Sequence, residues 1–182
     1  MAIREILRMG HPLLRQPARE LTEDEIAAPK LRVLVDDMVE TLADAGGIGL
    51  AAPQIGVSLR LAIIRIPGGP SRYGEIEAVP LTVYVNPEIE VIDAAEQGFW
   101  EGCLSVPGLR GFVKRPRAIR VRWRDLEGIE HKAEHAGFLA TVFQHEFDHL
   151  DGRLYVDRLE DSTKLMFEEE FARFGDSAAA VD

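Results

Sequence analysis

At 182 residues, the chain has the length of one domain with room for a substantial core. Its 46% hydrophobic and 29% charged residues are ordinary for a globular protein, and no apolar run approaches the roughly 20 residues that span a bilayer, so no membrane partner is expected. A net charge of −10 argues against a general nucleic-acid binder, and no DNA partner is expected. The start, Met1-Ala2-Ile3-Arg4-Glu5, lacks the basic-then-apolar layout of a secretion signal, which points to a cytoplasmic protein.

Thr22 and Glu25 have capping-box spacing, and Pro29 suits a first helical turn. Leu31, Leu34, Val35, Met38 and Leu42 form one apolar helical stripe, which Gly46 and Gly47 end. Residues 47–56 make a small, nearly uncharged loop whose glycines let backbone approach a ligand. Strand-like runs cover 59–66, 81–85 and 88–92, with a surface loop at 67–71. Ile119, Val121 and Trp123 alternate with Arg120, Arg122 and Arg124, the pattern of a half-buried strand, and 125–128 reads as a turn into another. With Lys114, Arg115 and Arg117, these arginines form a basic patch, read as the solvated face of a strand. Residues 138–150 are apolar and free of Gly and Pro, which predicts a buried central helix closed by Gly152. A last helix is predicted over 162–174, with Phe167, Phe171 and Phe174 on one face, and 175–182 as a frayed tail.

The central helix carries the chemistry. Gln144-His145-Glu146-Phe147-Asp148-His149 contains H-E-x-x-H, and residues four apart share one helical face. Two imidazoles there can hold one metal ion, and Glu146 can act as general base on the attacking water. His131 and His135 are also four apart, but in the strand expected after the turn they stand about 13 Å from each other, so they are set aside. His11, before Pro12, reads as a surface or turn residue. A third ligand is needed. Glu160, Glu168, Glu169 and Glu170 lie downstream on an exposed helix face. Upstream, the lone cysteine, Cys103, sits between Gly102 and a Ser105-Val106-Pro107-Gly108 turn. A thiolate with two imidazoles suits a divalent metal. The expected fold is α+β, with small antiparallel or mixed sheets around the central metal-binding helix and a C-terminal helix, in one domain spanning 1–182.

Three segments together resemble the signature motifs of peptide deformylases. They are Gly47-Ile48-Gly49-Leu50-Ala51-Ala52-Pro53-Gln54, Glu101-Gly102-Cys103-Leu104-Ser105 and Gln144-His145-Glu146-Phe147-Asp148-His149-Leu150, in the family's order. The resemblance implies an enzyme that removes the formyl group from the N-terminal methionine of nascent chains and releases formate. It implies Cys103, His145 and His149 as ligands of one divalent ion, most typically Fe2+, with Ni2+, Co2+ or Zn2+ able to substitute. It implies Glu146 as general acid and base, and Gln54 with the Leu104 N–H as donors to the formyl oxygen. It implies Gly49, Ile48 and Arg110 as substrate contacts, and transient association with the ribosome. His11 where many relatives have aspartate, a longer stretch at 67–79 and an arginine-rich strand after Gly108 depart from the pattern. Two alternatives stay open: an H-E-x-x-H metallopeptidase, which leaves the Cys103 and Gln54 segments unexplained, and a catalytically silent metal-binding module for nascent chains.

Overall fold

The computed structural model describes residues 2–178. Thr22 caps α1 (Glu23–Ala27) with both arms of the box: its hydroxyl accepts from the Glu25 N–H, and the Glu25 carboxylate accepts from the Thr22 N–H. Ala28 is extended because a residue before proline avoids the α region, so α2 (Pro29–Ala45) starts afresh at Pro29. The box and Pro29 therefore open two separate helices. The α2 stripe faces inward, with Leu31, Val35, Met38 and Leu42 buried, and Gly46 ends it in the left-handed region.

The strands are β1 (Gly49–Ala51), β2 (Leu61–Ile66), β3 (Gly69–Ser71), β4 (Gly74–Ile76), β5 (Val79–Cys103), β6 (Val106–Arg124), β7 (Glu130–Ala136) and β8 (Leu165–Phe167). Six of them form an antiparallel sheet in the order β1-β2-β5-β6-β7, with β8 also pairing β6, while β3 and β4 form a separate hairpin. Residues 67–71 thus begin a hairpin rather than a simple loop. The runs at 81–85 and 88–92 are parts of one strand. Between them the register shifts, at Asn86, which has φ 48 and bonds both the N–H and the C=O of Leu21 through its side chain. Asparagine tolerates that backbone better than most side chains. The hairpin of β5 and β6 ends in a tight turn at Leu104–Ser105, with Cys103 paired to Val106, so the turn precedes the expected position at 105–108.

The central helix α3 (Gly137–Asp148) continues as a 3-10 turn at His149–Asp151. The predicted helix over 162–174 is corrected: a 3-10 turn (Ser162–Lys164) and β8 precede α4 (Glu168–Ala178). Leu165 and Phe167 pair with Gly111 and Leu109 at the edge of β6, and this long-range pairing overrides the local helical pattern. Phe167 therefore lies outside the helix, 68% exposed. The helix runs past Gly175 to Ala178, where a frayed tail was expected, and residues 179–182 lie outside the described residues.

β2 shows how the core is divided. Leu61 and Ile63 pack with the α2 stripe, Leu50 and Val85. Ala62 and Ile64 pack with Phe143 and Phe147 of α3, with Leu150 of the turn after it and with Ile119 and Val121 of β6. The period-two alternation of a strand thus places α2 on one face and α3 on the other. On β6, Arg117, Arg120, Arg122 and Arg124 pair with Asp93, Glu90 and Glu134, Glu88, and Glu23 and Glu130. These arginines are neutralised by acids on the neighbouring strands and, at Arg124, also by Glu23 of α1.

Met38→Ala is expected to cost about 2–5 kcal/mol in urea unfolding, because it opens a cavity at a fully buried site. Arg120→Ala is expected to cost about 1 kcal/mol or less, as exposed pairs do.

Candidate metal centre

α3, the end of β5 and the turn after β1 converge at one end of the sheet. Ligand atoms of Cys103, His145 and His149 lie within 4.8 Å of one another. The Cys103 Sγ is 3.3 Å from His149 Nε2. Both imidazoles are buried, and their rings meet edge to face at 5.2 Å. The His145 Nδ1 is 2.7 Å from Glu101, which leaves Nε2 for the centre. The Glu146 carboxylate is buried beside them, and its Oε2 has no hydrogen-bond partner among the described residues. Gly49 of β1 leaves room for it, since a Cβ there would stand 2.4 Å from Glu146.

Burial alone would raise the Cys103 thiol, but His149 and His145 outweigh it and hold the thiol well below its ordinary value. Burial lowers His145, yet Cys103 and Glu101 carry it well above the usual histidine range. Burial pushes Glu146 up against the opposing pull of both histidines. A thiolate, two imidazoles and an unpartnered buried carboxylate fit one divalent ion, with Cys103, His145 and His149 as the donor set.

Under this cluster lies a buried charge network that the sequence reading missed. Arg115, 1% exposed, donates through Nε and Nη2 to Glu101 at 2.6 and 2.9 Å and through Nη1 to Asp148 at 2.8 Å. Arg158 reaches Asp148 through Nε and Nη2 at 2.6 and 2.5 Å. Burial opposes the charge on Glu101, but Arg115 and His145 overcome it and keep the carboxyl below its ordinary range. Arg115 therefore corrects the reading of the whole patch as solvated. A signal was present, because Arg115 shares strand parity with Val113, Ile119 and Val121 rather than with Lys114. Glu101 likewise lies two residues before Cys103, the spacing of one strand face.

The remaining expected residues gather here. Gln54 is buried, with its Oε1 accepting from the Ala51 N–H at 2.8 Å. Its Nε2 faces Ser105 Oγ at 3.1 Å and Cys103 Sγ at 3.7 Å. Ser105, which had no assigned role, also donates its N–H to Cys103 Sγ at 3.4 Å. Leu104, Ile48, Gly49 and Arg110 line the same cavity of about 500 Å³. The N-terminal segment braces it: Leu7 donates to the Gln54 carbonyl and Met9 to that of Ser105, both at 2.7 Å. His131 pairs with Asp125 and His135 stacks on Phe143, both apart from the cluster, as expected. His11 is exposed and caps a turn. Glu160, Glu168 and Glu170 pair with Lys114, Arg110 and Arg173.

An H-E-x-x-H helix with a cysteine from a hairpin tip beside its two imidazoles is a donor set of the kind metal-dependent hydrolases use. The polypeptide deformylase family model matches residues 3–165. Peptide deformylase of Leptospira biflexa is 49% identical over 165 residues, 91% of this chain and 92% of that one. Peptide deformylase 2 of Bordetella bronchiseptica is 48% identical over 167 residues, 92% and 93% of the two chains. Among solved structures, class I type b peptide deformylase from Acinetobacter baumannii with Met-Ala-Ser bound superimposes with a TM-score of 0.80 at 33% identity, covering 87% of this chain and 99% of that one. Peptide deformylase from Synechococcus elongatus in complex with actinonin gives 0.79 at 33% identity, covering 96% and 87%. The chain belongs to the polypeptide deformylase family.

Glu101→Gln is expected to weaken zinc binding about 10- to 100-fold in chelator competition, because it removes the carboxylate that orients His145. Glu134→Gln, on an exposed strand, serves as the control and should leave it unchanged.

Proposed function

We propose that the chain hydrolyses the formyl amide at the N-terminal methionine of a peptide and releases formate. The observation that carries this is the buried Glu146 carboxylate, unpartnered beside the Cys103–His145–His149 cluster and facing a strand that has glycine where any side chain would block it. Cys103, His145 and His149 would hold the ion, which we take to be Fe2+, with Ni2+, Co2+ or Zn2+ as substitutes. When bound, the ion supplies Lewis acidity, polarising the formyl carbonyl and acidifying water.

The other parts fall to the chain. Glu146 takes the proton from the attacking water and returns it to the leaving amine nitrogen. Its burial raises its proton affinity toward the range useful at neutral pH. Gln54 donates from Nε2 to the formyl oxygen as charge grows there. The Ala51 N–H fixes the amide's orientation beforehand, so little reorganisation is needed. The Leu104 N–H is the second donor. Gly49 contacts the peptide backbone, Ile48 flanks the methionine side chain, and Arg110 lies further along the peptide. The cysteine ligand argues against an H-E-x-x-H endopeptidase with a downstream glutamate ligand, and Glu146 and Gln54 argue against a silent binding module.

The test is formate release from formyl-Met-Ala-Ser by protein purified without oxygen and loaded with Fe2+, Ni2+ or Zn2+. Release is expected to vanish on chelation and to fall by at least about 100-fold in Glu146→Ala, which still retains metal. Near-normal release by that variant would overturn the scheme. The corollary is a cytoplasmic enzyme that meets formylated chains as they leave the ribosome. Co-sedimentation with ribosomes at low salt is expected, and complete recovery in the supernatant would remove that corollary.

A further inference from the structure

We propose that Glu168 is a specificity residue: held against Arg110 at the edge of the cavity, it selects against peptides that carry a negative charge two residues after the methionine. The inference rests on the proposed function above.

Arg110 and Glu168 both line the cavity. A Cβ on Gly102 would stand 2.2 Å from Arg110 Nη1, so glycine there lets the guanidinium lie across β5, one residue from Cys103. Its Nε and Nη2 both donate to Glu168 Oε1, at 3.0 and 2.5 Å. Among the described residues, Nη1 has no hydrogen-bond partner. The guanidinium is thus neutralised on one side and open on another.

The carboxylate is held in place rather than free to wander. Glu168 opens α4, directly after β8, whose Met166 pairs with Arg110 in the sheet. One turn on, Phe171 packs against Trp100 with ring centroids 5.1 Å apart, and the Arg72 guanidinium lies 4.4 Å from the Phe171 ring centroid. Trp100 lines the same cavity. The start of α4 is therefore anchored to the cavity wall.

An extended tripeptide spans about 10 Å, at roughly 3.3 Å per residue. A peptide with its formyl end at Cys103 that runs along the cavity past Gly102 brings its third residue to the guanidinium. A neutral amide or carbonyl there can accept from Nη1 and leave Glu168 undisturbed. A carboxylate must either displace Glu168 or sit beside a like charge. Because the Arg110 and Glu168 side chains are 36% and 50% exposed, the discrimination is modest, about two- to fivefold.

The test is calorimetric titration of nickel-loaded protein with Met-Ala-Ser and with its C-terminal amide, alongside formate release from the two formylated peptides. Glu168→Gln is expected to raise the affinity of the free acid relative to the amide by about two- to fivefold. Arg110→Gln in the Glu168→Gln background is expected to erase that gain. A ratio unchanged in Glu168→Gln, whether both affinities move together or neither moves, would overturn the proposal and leave α4 as packing alone. The titration reads peptides that already lack the formyl group. Absent formate release would therefore defeat the proposed function, while the acid-to-amide binding ratio would still decide the role of Glu168.

Discussion

The site depends on one buried guanidinium. Arg115 sits between Glu101 and Asp148 with almost no access to water. Charges removed from solvent are tolerated only when paired and hydrogen-bonded, and breaking such a pair strands the remaining charge at a cost of about 3–5 kcal/mol. Each member therefore fixes the others. Glu101 belongs to β5, Arg115 to β6 and Asp148 to α3, so the network ties together the elements that deliver Cys103, His145 and His149. Arg158 adds a fourth charge and balances the set, two cations against two anions.

Orientation follows from charge. Glu101 fixes the ring of His145, leaving Nε2 toward the thiolate. The Ser105 N–H and both histidines stabilise the negative sulfur. The Gln54 amide is turned by the Ala51 backbone, and the segment carrying Leu7 and Met9 holds the loops on either side. These contacts are short-range and directional. The two apolar layers around β2 are neither, yet they carry the bulk of the burial and supply the rigidity against which the polar contacts are set.

Periodic and capped elements were legible in the sequence. The Thr22–Glu25 box, the α2 stripe, the α3 helix and the inward alternation of Ile119, Val121 and Trp123 are local signals, and each appears in the fold. The Cys103–His145–His149 cluster was legible because H-E-x-x-H puts two imidazoles on one helical face and a lone cysteine in a glycine-flanked segment offers a third donor. What escaped was non-local. The extension of β5 to Cys103 depends on pairing with β6, and β8 exists only because the edge of β6 accepts it. Arg115 was hidden among arginines that are exposed or partly exposed, and its burial follows from two acids, one 14 and one 33 residues away.

The two longest strands have a consequence for how the molecule comes into being. β5 and β6 pair along most of their length, and the cluster draws on residues as far apart as Gln54 and His149. Contacts between such distant parts of a chain demand costly closure of large loops and slow the approach to the folded state. On a growing polypeptide the thiol and the carboxamide emerge long before either imidazole. Until the segment bearing residue 149 has left the exit tunnel, the chain cannot assemble this cluster, so any capacity to take up an ion would arrive late and all at once.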